Sequence, residues 1–135
     1  MGRAIFIDAS FWIAYRDARD PYFERAKPLL FDLFKKRASF VTSLPVFCEI
    51  HAHFSRHPAH RKAVIADFWA NPVARVELPS FDDCDEARAL LAKHQDKSYG
   101  FCDALSFVMM QRLELRRAAS FDIHFRQFGE FEVIC

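Results

Sequence analysis

The sequence predicts an α/β fold: a three-layer α/β/α sandwich around a mostly parallel central sheet. Three observations predict it. Short apolar runs of strand length alternate along the chain with segments whose apolar residues recur at helical spacing. Only three glycines occur, too few for an all-β fold built on tight turns. Strands joined through helices pair in parallel, with helices covering both faces of the sheet. The 135 residues suit one domain, 1–135, and 52% of them are hydrophobic, sixteen being Phe, which is ample material for one core.

The elements follow in order. AIFI (4–7) is a short apolar run that fits a buried strand. Ser10 offers an N-cap for a helix through Phe11, Trp12, Ala14 and Tyr15. Pro21 opens a second helix, in which Phe23, Ala26, Leu30, Leu33 and Phe34 keep helical spacing. SFVTS (39–43) reads as the second strand. Ser43 and Pro45 start the next helix, which stops near Pro58, and another carries Val64, Ile65, Phe68 and Trp69. VARVEL (73–78) is the third strand, followed by helices from about Asp82 to Lys93 and from about Ser98 to Leu113. RAASF (117–121) gives strand four and FEVIC (131–135) strand five.

Composition excludes several classes. The net charge of +1 is not that of a polycation, so any contact with nucleic acid uses a local basic patch. No apolar run approaches the ~18 residues that span a bilayer. The stretch MGRAIFIDASFW is interrupted by Asp8 too early for a signal peptide. Cys48, Cys84, Cys102 and Cys135 show no CxxC spacing and read as free thiols, in keeping with a reducing cytoplasm. The chain has no dinucleotide-binding glycine fingerprint, phosphate-binding loop or nucleophile elbow.

The informative residues are four acids in apolar settings: Asp8 in AIFIDAS, Glu49 in PVFCEIH, Asp103 in YGFCDALSF and Asp122 in AASFDIHF. A lone buried carboxylate is costly unless it is paired or metal-bound. In open parallel sheets, ligands bind beyond the carboxyl ends of the strands. Asp8 and Asp122 follow strands one and four directly, and Glu49 and Asp103 lie near the starts of their helices. All four therefore point to one edge. Four carboxylates so close repel one another, at about 4 kcal/mol per pair for ~4 Å and an effective dielectric near 20. A hard divalent cation such as Mg²⁺ removes that penalty and suits hydrolysis of a phosphodiester.

Each acid has a plainer reading. Asp8 is an N-cap candidate, Glu49 an ion-pair partner for Arg56 or Arg61, Asp103 a helix-start acid, and Asp122 a turn residue before a short helix. Cys48 and Cys102, each beside a quartet acid, read as packing residues that face away from it. His53, His57 and His60 lack a zinc-binding pattern. With Arg56, Arg61 and Lys62 alongside, they read as a face that touches nucleic-acid phosphate, and Arg126 is a further candidate contact. Arg16, Arg19, Arg25 and Lys27 form a second basic group, either a solvated face or a docking rim.

IDAS, SLPVFCEIH and SYGFCDALSFVMMQRLELRRAASFDIHFRQFG together resemble the PIN-domain ribonucleases, most closely the VapC-type toxins of toxin–antitoxin pairs. The likeness covers essentially the whole chain. It implies an endoribonuclease dependent on Mg²⁺ or Mn²⁺, with Asp8, Glu49, Asp103 and Asp122 as the catalytic quartet. Asp8 and Asp103 are then the direct metal ligands, and Ser10 is the hydroxyl that supports the first acid. Cleavage by metal-activated water leaves 5′-phosphate and 3′-hydroxyl ends. The resemblance further implies a homodimer, a small antitoxin as a separate partner, an RNA substrate and a cytoplasmic location. The family often carries a basic residue after its last acid, where this chain has Ile123. The alternative is a PIN-like module that has lost catalysis and binds RNA or protein.

Overall fold

A computed structural model describes residues 4–135, so the first three residues of the expected 1–135 domain lie outside the described residues. The strands are β1 (Ala4–Ile7), β2 (Ser39–Ser43), β3 (Ala74–Glu77), β4 (Arg117–Ala119) and β5 (Glu132–Ile134). The helices are α1 (Ala9–Arg16), α2 (Phe23–Lys35), α3 (Leu44–His53), α4 (Pro58–Trp69), α5 (Phe81–Lys93), α6 (Phe101–Arg112) and α7 (Ile123–Phe128). The strand order is β3-β2-β1-β4-β5, and every pairing is parallel, so the sheet is wholly rather than mostly parallel. From β1 the chain builds outward through β2 and β3, then returns to add β4 and β5 on the other side. The order reverses between β1 and β4, and their carboxyl ends flank the crevice where such sheets bind ligands.

The central strands are buried on both faces, which is why they read as continuous apolar runs rather than alternating ones. Ile5, Phe6 and Ile7 are fully buried, as are Ala118 and Ala119. In α6, all seven residues from Ala104 to Met110 are buried. That helix is apolar around its whole circumference, as expected of a helix enclosed by the protein. Its first turn is consequently held in a fixed place.

Polar clamps fasten the remaining helices. The Trp12 Nε1–H donates to Asp67 Oδ2 at 2.8 Å and Arg16 chelates the same carboxylate, tying α1 to α4. Arg16 is thereby a structural ion pair and not part of a free basic rim. Arg112 donates twice to Asp83, at 2.8 Å each, joining the end of α6 to the start of α5. Asp83 is almost wholly buried and also closes the capping box with Ser80. Ser43 caps α3 through Val46 N–H, as its sequence position predicts.

Candidate metal centre

Asp8 stands where β1 ends. Its backbone N–H donates to Ala119 O of β4 at 3.1 Å, so strand pairing itself brings the first and fourth strand ends together. Asp8, not Ser10, is the N-cap of α1. Ser10 lies one residue inside the helix and turns back, donating its hydroxyl to Asp8 Oδ2 at 2.6 Å. The buried Ser120 hydroxyl donates to the same oxygen at 2.8 Å. Each serine oxygen is also an acceptor: Ser10 Oγ from Phe121 N–H at 2.9 Å, and Ser120 Oγ from Asp122 N–H at 3.0 Å. Two hydroxyls thus weld the start of α1 to the turn after β4. All of these bonds to the Asp8 carboxylate use Oδ2. Among the described residues no protein donor reaches Oδ1, whose lone pairs are left for another ligand.

Asp8 is only 7% exposed. Burial pushes its carboxyl up to about 6; the two serine hydrogen bonds oppose this, and the charges of Asp122 and Asp103 add to it. Ionised Asp8 is therefore disfavoured mainly by its burial, and further by the two neighbouring carboxylates.

Asp122 is the N-cap of α7 and accepts from His124 N–H at 3.0 Å. Asp103 is the third residue of α6 and accepts from Gly100 N–H at 3.0 Å, which fixes it within the helix's first turn. His124 stands between them. Its Nδ1 lies 2.8 Å from Asp103 Oδ2 and 3.3 Å from Asp122 Oδ1. Facing two carboxylates, Nδ1 carries the hydrogen. Nε2 then accepts from Ser98 Oγ at 3.1 Å. Asp103, Asp122 and His124 thus form a tight cluster, with an atom of each within 4.8 Å of the others; His124 bridges the two carboxylates through its Nδ1 hydrogen and, among the described residues, leaves their other oxygens free.

Glu49 is exposed on α3. Among the described residues it forms no ion pair, and Arg61 instead donates to Ser55 O at 2.7 Å. The neighbour of Glu49 is Cys102. Burial, a hydrogen bond to Glu49 and the charges of Glu49, Asp8 and Asp103 hold that thiol far above the usual thiol range. Cys102 packs against the hydrophobic core, as expected, yet its thiol lies beside Glu49 rather than turned away from the acids; Cys48 is exposed and is not a packing residue. The four acids share one region, with Asp8, Asp103 and Asp122 at its centre and Glu49 reached through Cys102. Arg56 lies in the turn after α3, and Arg61 and Lys62 lie in the first turns of α4, beyond the helix that carries Glu49. Arg126 is exposed on α7, one turn from Asp122. Ile123, at the position where a basic residue is common, is exposed at the rim.

Sequence reasoning missed His124 and Ser120. The signal for His124 was its place two residues after Asp122, where the start of a short helix turns it toward Asp103. Ser120 directly follows Ala119, which closes β4, and stands two residues before Asp122.

The PIN domain family model matches residues 5–130, nearly the whole described chain. The chain belongs to the PIN-domain family. This PIN domain is 35% identical over 130 residues to the 23S rRNA-specific endonuclease VapC20 of Mycobacterium tuberculosis, covering 96% of this chain and 97% of that one. The crystal structure of Mycobacterium tuberculosis VapC20, described as a sarcin–ricin loop cleaving toxin, superposes with a TM-score of 0.82 at 33% identity, over 96% of this chain and 98% of that one. A toxin–antitoxin complex from Klebsiella pneumoniae gives a TM-score of 0.70 at 15% identity, over 97% and 96% of the two chains, and shares the fold. Among the described residues of this PIN domain, no helix is long and apolar enough to cross a membrane.

Proposed function

We propose that this PIN domain is a divalent-metal-dependent endoribonuclease, the toxin of a type II toxin–antitoxin pair, acting on ribosomal RNA in the cytoplasm. The observation that carries this is the convergence of Asp8, Asp103 and Asp122 from β1, α6 and the β4–α7 turn on one crevice. Likeness to VapC20 over nearly the whole chain supports the substrate class, and the sarcin–ricin loop is the first RNA to try.

The donor set fits a hard divalent cation. Asp103 and Asp122 cluster around His124, and the buried Asp8 carboxylate lies within charge range of both, with no protein donor on its Oδ1 among the described residues. Asp8 through Oδ1 and Asp103 would hold Mg²⁺ or Mn²⁺, with Asp122 and Glu49 completing the charge. Such an ion supplies an acidified water and a positive charge beside the scissile phosphate. The chain's own residues do the rest. Ser10 and Ser120 fix the Asp8 carboxylate in one orientation. His124 fixes Asp103 against Asp122. Asp122 and Glu49 are placed to accept hydrogen bonds from water, orienting it for in-line attack at phosphorus. Cleavage on that route leaves 5′-phosphate and 3′-hydroxyl ends. Arg56, Arg61, Lys62 and Arg126 bind RNA phosphates away from the acids. Pairing with a second copy and silencing by a separate antitoxin complete the reading.

The test is cleavage of an rRNA hairpin by purified protein with Mg²⁺ or Mn²⁺, beside EDTA and an Asp8→Asn/Asp103→Asn variant. Cleavage that needs the metal and is lost in the variant is expected. A folded wild-type protein that cleaves no RNA, or a variant as active as wild type, refutes the reading.

A further inference from the structure

At the far end of α1 lies a pocket of about 360 Å³, lined by Asp17, Ala18, Arg19, Phe54, His57 and His60. Its size is within the ~300–1,000 Å³ usual for ligand sites. Asp8 caps one end of α1 and Asp17 the other, so the pocket stands about 13 Å from the acidic crevice along the helix axis. It joins two groups that are distant in sequence: the basic residues after α1, and the histidines of the α3–α4 turn.

Two features of the lining point to one ligand chemistry. The first is a flat platform. The His60 imidazole stacks on the Phe54 ring with centroids 5.0 Å apart and planes 10° from parallel. Phe54 is fully buried, so the platform is backed by the core, while His60 is exposed. His57 stands edge-on to His60 at 5.9 Å and 74°, walling one side. The second is an anchored cation. Asp17 accepts from Arg19 Nε at 3.2 Å and from Nη2 at 3.4 Å, and from His53 Nε2 at 2.9 Å. The His53 and Arg19 contacts hold the Asp17 carboxyl well below the usual range, so the anchor stays charged. Anchoring leaves Nη1 of Arg19 and its outer face to an incoming anion. Arg56 in the α3–α4 turn, with Arg61 and Lys62 at the start of α4, gives this stretch of chain an excess of positive charge over Asp17. A π-face beside a fixed guanidinium matches a nucleotide: the base stacks and the phosphate pairs with the cation.

We propose that this pocket is a second RNA-binding site, taking one unpaired nucleotide of the substrate, with its base on His60 and its phosphate on Arg19. The proposal rests on the ribonuclease reading and adds to it a determinant of which RNA is held. An RNA with an extruded base about one helix length from the cleaved bond engages both places at once. A regular duplex engages only the crevice.

The experiment uses the full chain in EDTA, so that binding is read without cleavage. The probe is a fluorescein-labelled hairpin RNA carrying the sarcin–ricin loop, with a plain duplex as control. Arg19→Ala and His60→Ala should each weaken hairpin binding about fivefold or more, the size of a lost stack or phosphate contact. Duplex binding should stay unchanged, and His60→Phe should restore the hairpin affinity because it keeps a π-face. With Mn²⁺ restored, KM for the hairpin should rise in the alanine variants while kcat and Mn²⁺ affinity by calorimetry hold. Alanine variants that bind the hairpin like wild type, while wild type still cleaves it, overturn the pocket and leave the nuclease standing. Loss of antitoxin binding with RNA binding intact overturns it in favour of a protein-docking surface. A wild-type protein that neither binds nor cleaves any RNA removes both readings.

Discussion

Asp8→Asn should make the metal-free protein more stable at neutral pH while abolishing the metal centre. In the folded chain the Asp8 carboxyl is lifted from its usual 3.8 to about 6, first by burial and then by Asp122 and Asp103, with Ser10 and Ser120 opposing. The native state therefore binds a proton more tightly than the unfolded chain does. Stability from this group is fully present below about pH 4, falls as pH rises through about 6, and is flat beyond. At 1.36 kcal/mol per pH unit, keeping Asp8 ionised costs the native state about 3 kcal/mol at pH 7. An asparagine carries no charge and keeps a carbonyl oxygen for the two serine hydroxyls. Urea denaturation in EDTA should show the variant ahead by about 2–3 kcal/mol near pH 7 and level with wild type near pH 4. Adding Mg²⁺ or Mn²⁺ should raise the stability of wild type and not that of the variant. A variant no more stable than wild type near pH 7, or a gap that does not change with pH, refutes the reasoning.

Two other predictions concern residues around the centre. Asp83→Ala removes the Arg112 ion pair and breaks the capping box with Ser80, so it should lower stability by about 1–2 kcal/mol by denaturant titration while leaving Mn²⁺ affinity as it was. Because Asp83 is held below the usual carboxylate range by Arg112, that stabilisation is present at neutral pH and should fade as the solution is acidified toward the native carboxyl's own range. Cys48 is exposed and Cys102 is held as a neutral thiol, so iodoacetamide near pH 8 should modify Cys48 and spare Cys102, as read by peptide mass spectrometry. Rapid alkylation of Cys102 in the folded protein would contradict its placement against Glu49.

The strands were legible because a parallel sheet buries both faces, and AIFI and SFVTS have no polar alternation to disguise them. Asp8 was legible for the same reason, since a carboxylate at the end of a buried strand has no solvated face to occupy, whereas Glu49, in an equally apolar stretch of sequence, is exposed on α3. What the sequence hid depends on contacts between distant segments. His124 is one of six histidines, and its place two residues after Asp122 acquires meaning only when the starts of α6 and α7 meet across Asp103. Ser10 looked like the helix cap because serine favours that position, yet the cap is Asp8, and Ser10 braces its carboxylate instead. Cys102 was misread because helical adjacency to Asp103 gives its direction relative to that residue and says nothing of α3, which brings Glu49 to its thiol.

The hydrogen bond between Ser120 and Asp8 spans 112 positions in the chain. Its consequence is one of timing. During synthesis the chain emerges from its first residue, and β1, β2 and β3 can pair while the later segments are still being made. The crevice has only one wall at that stage, because β4, Ser120, Asp122 and His124 come last. Closing a loop of that length is entropically unfavourable until β4 slots in beside β1. The candidate centre is thus absent for most of synthesis and assembles only once His124 has been made.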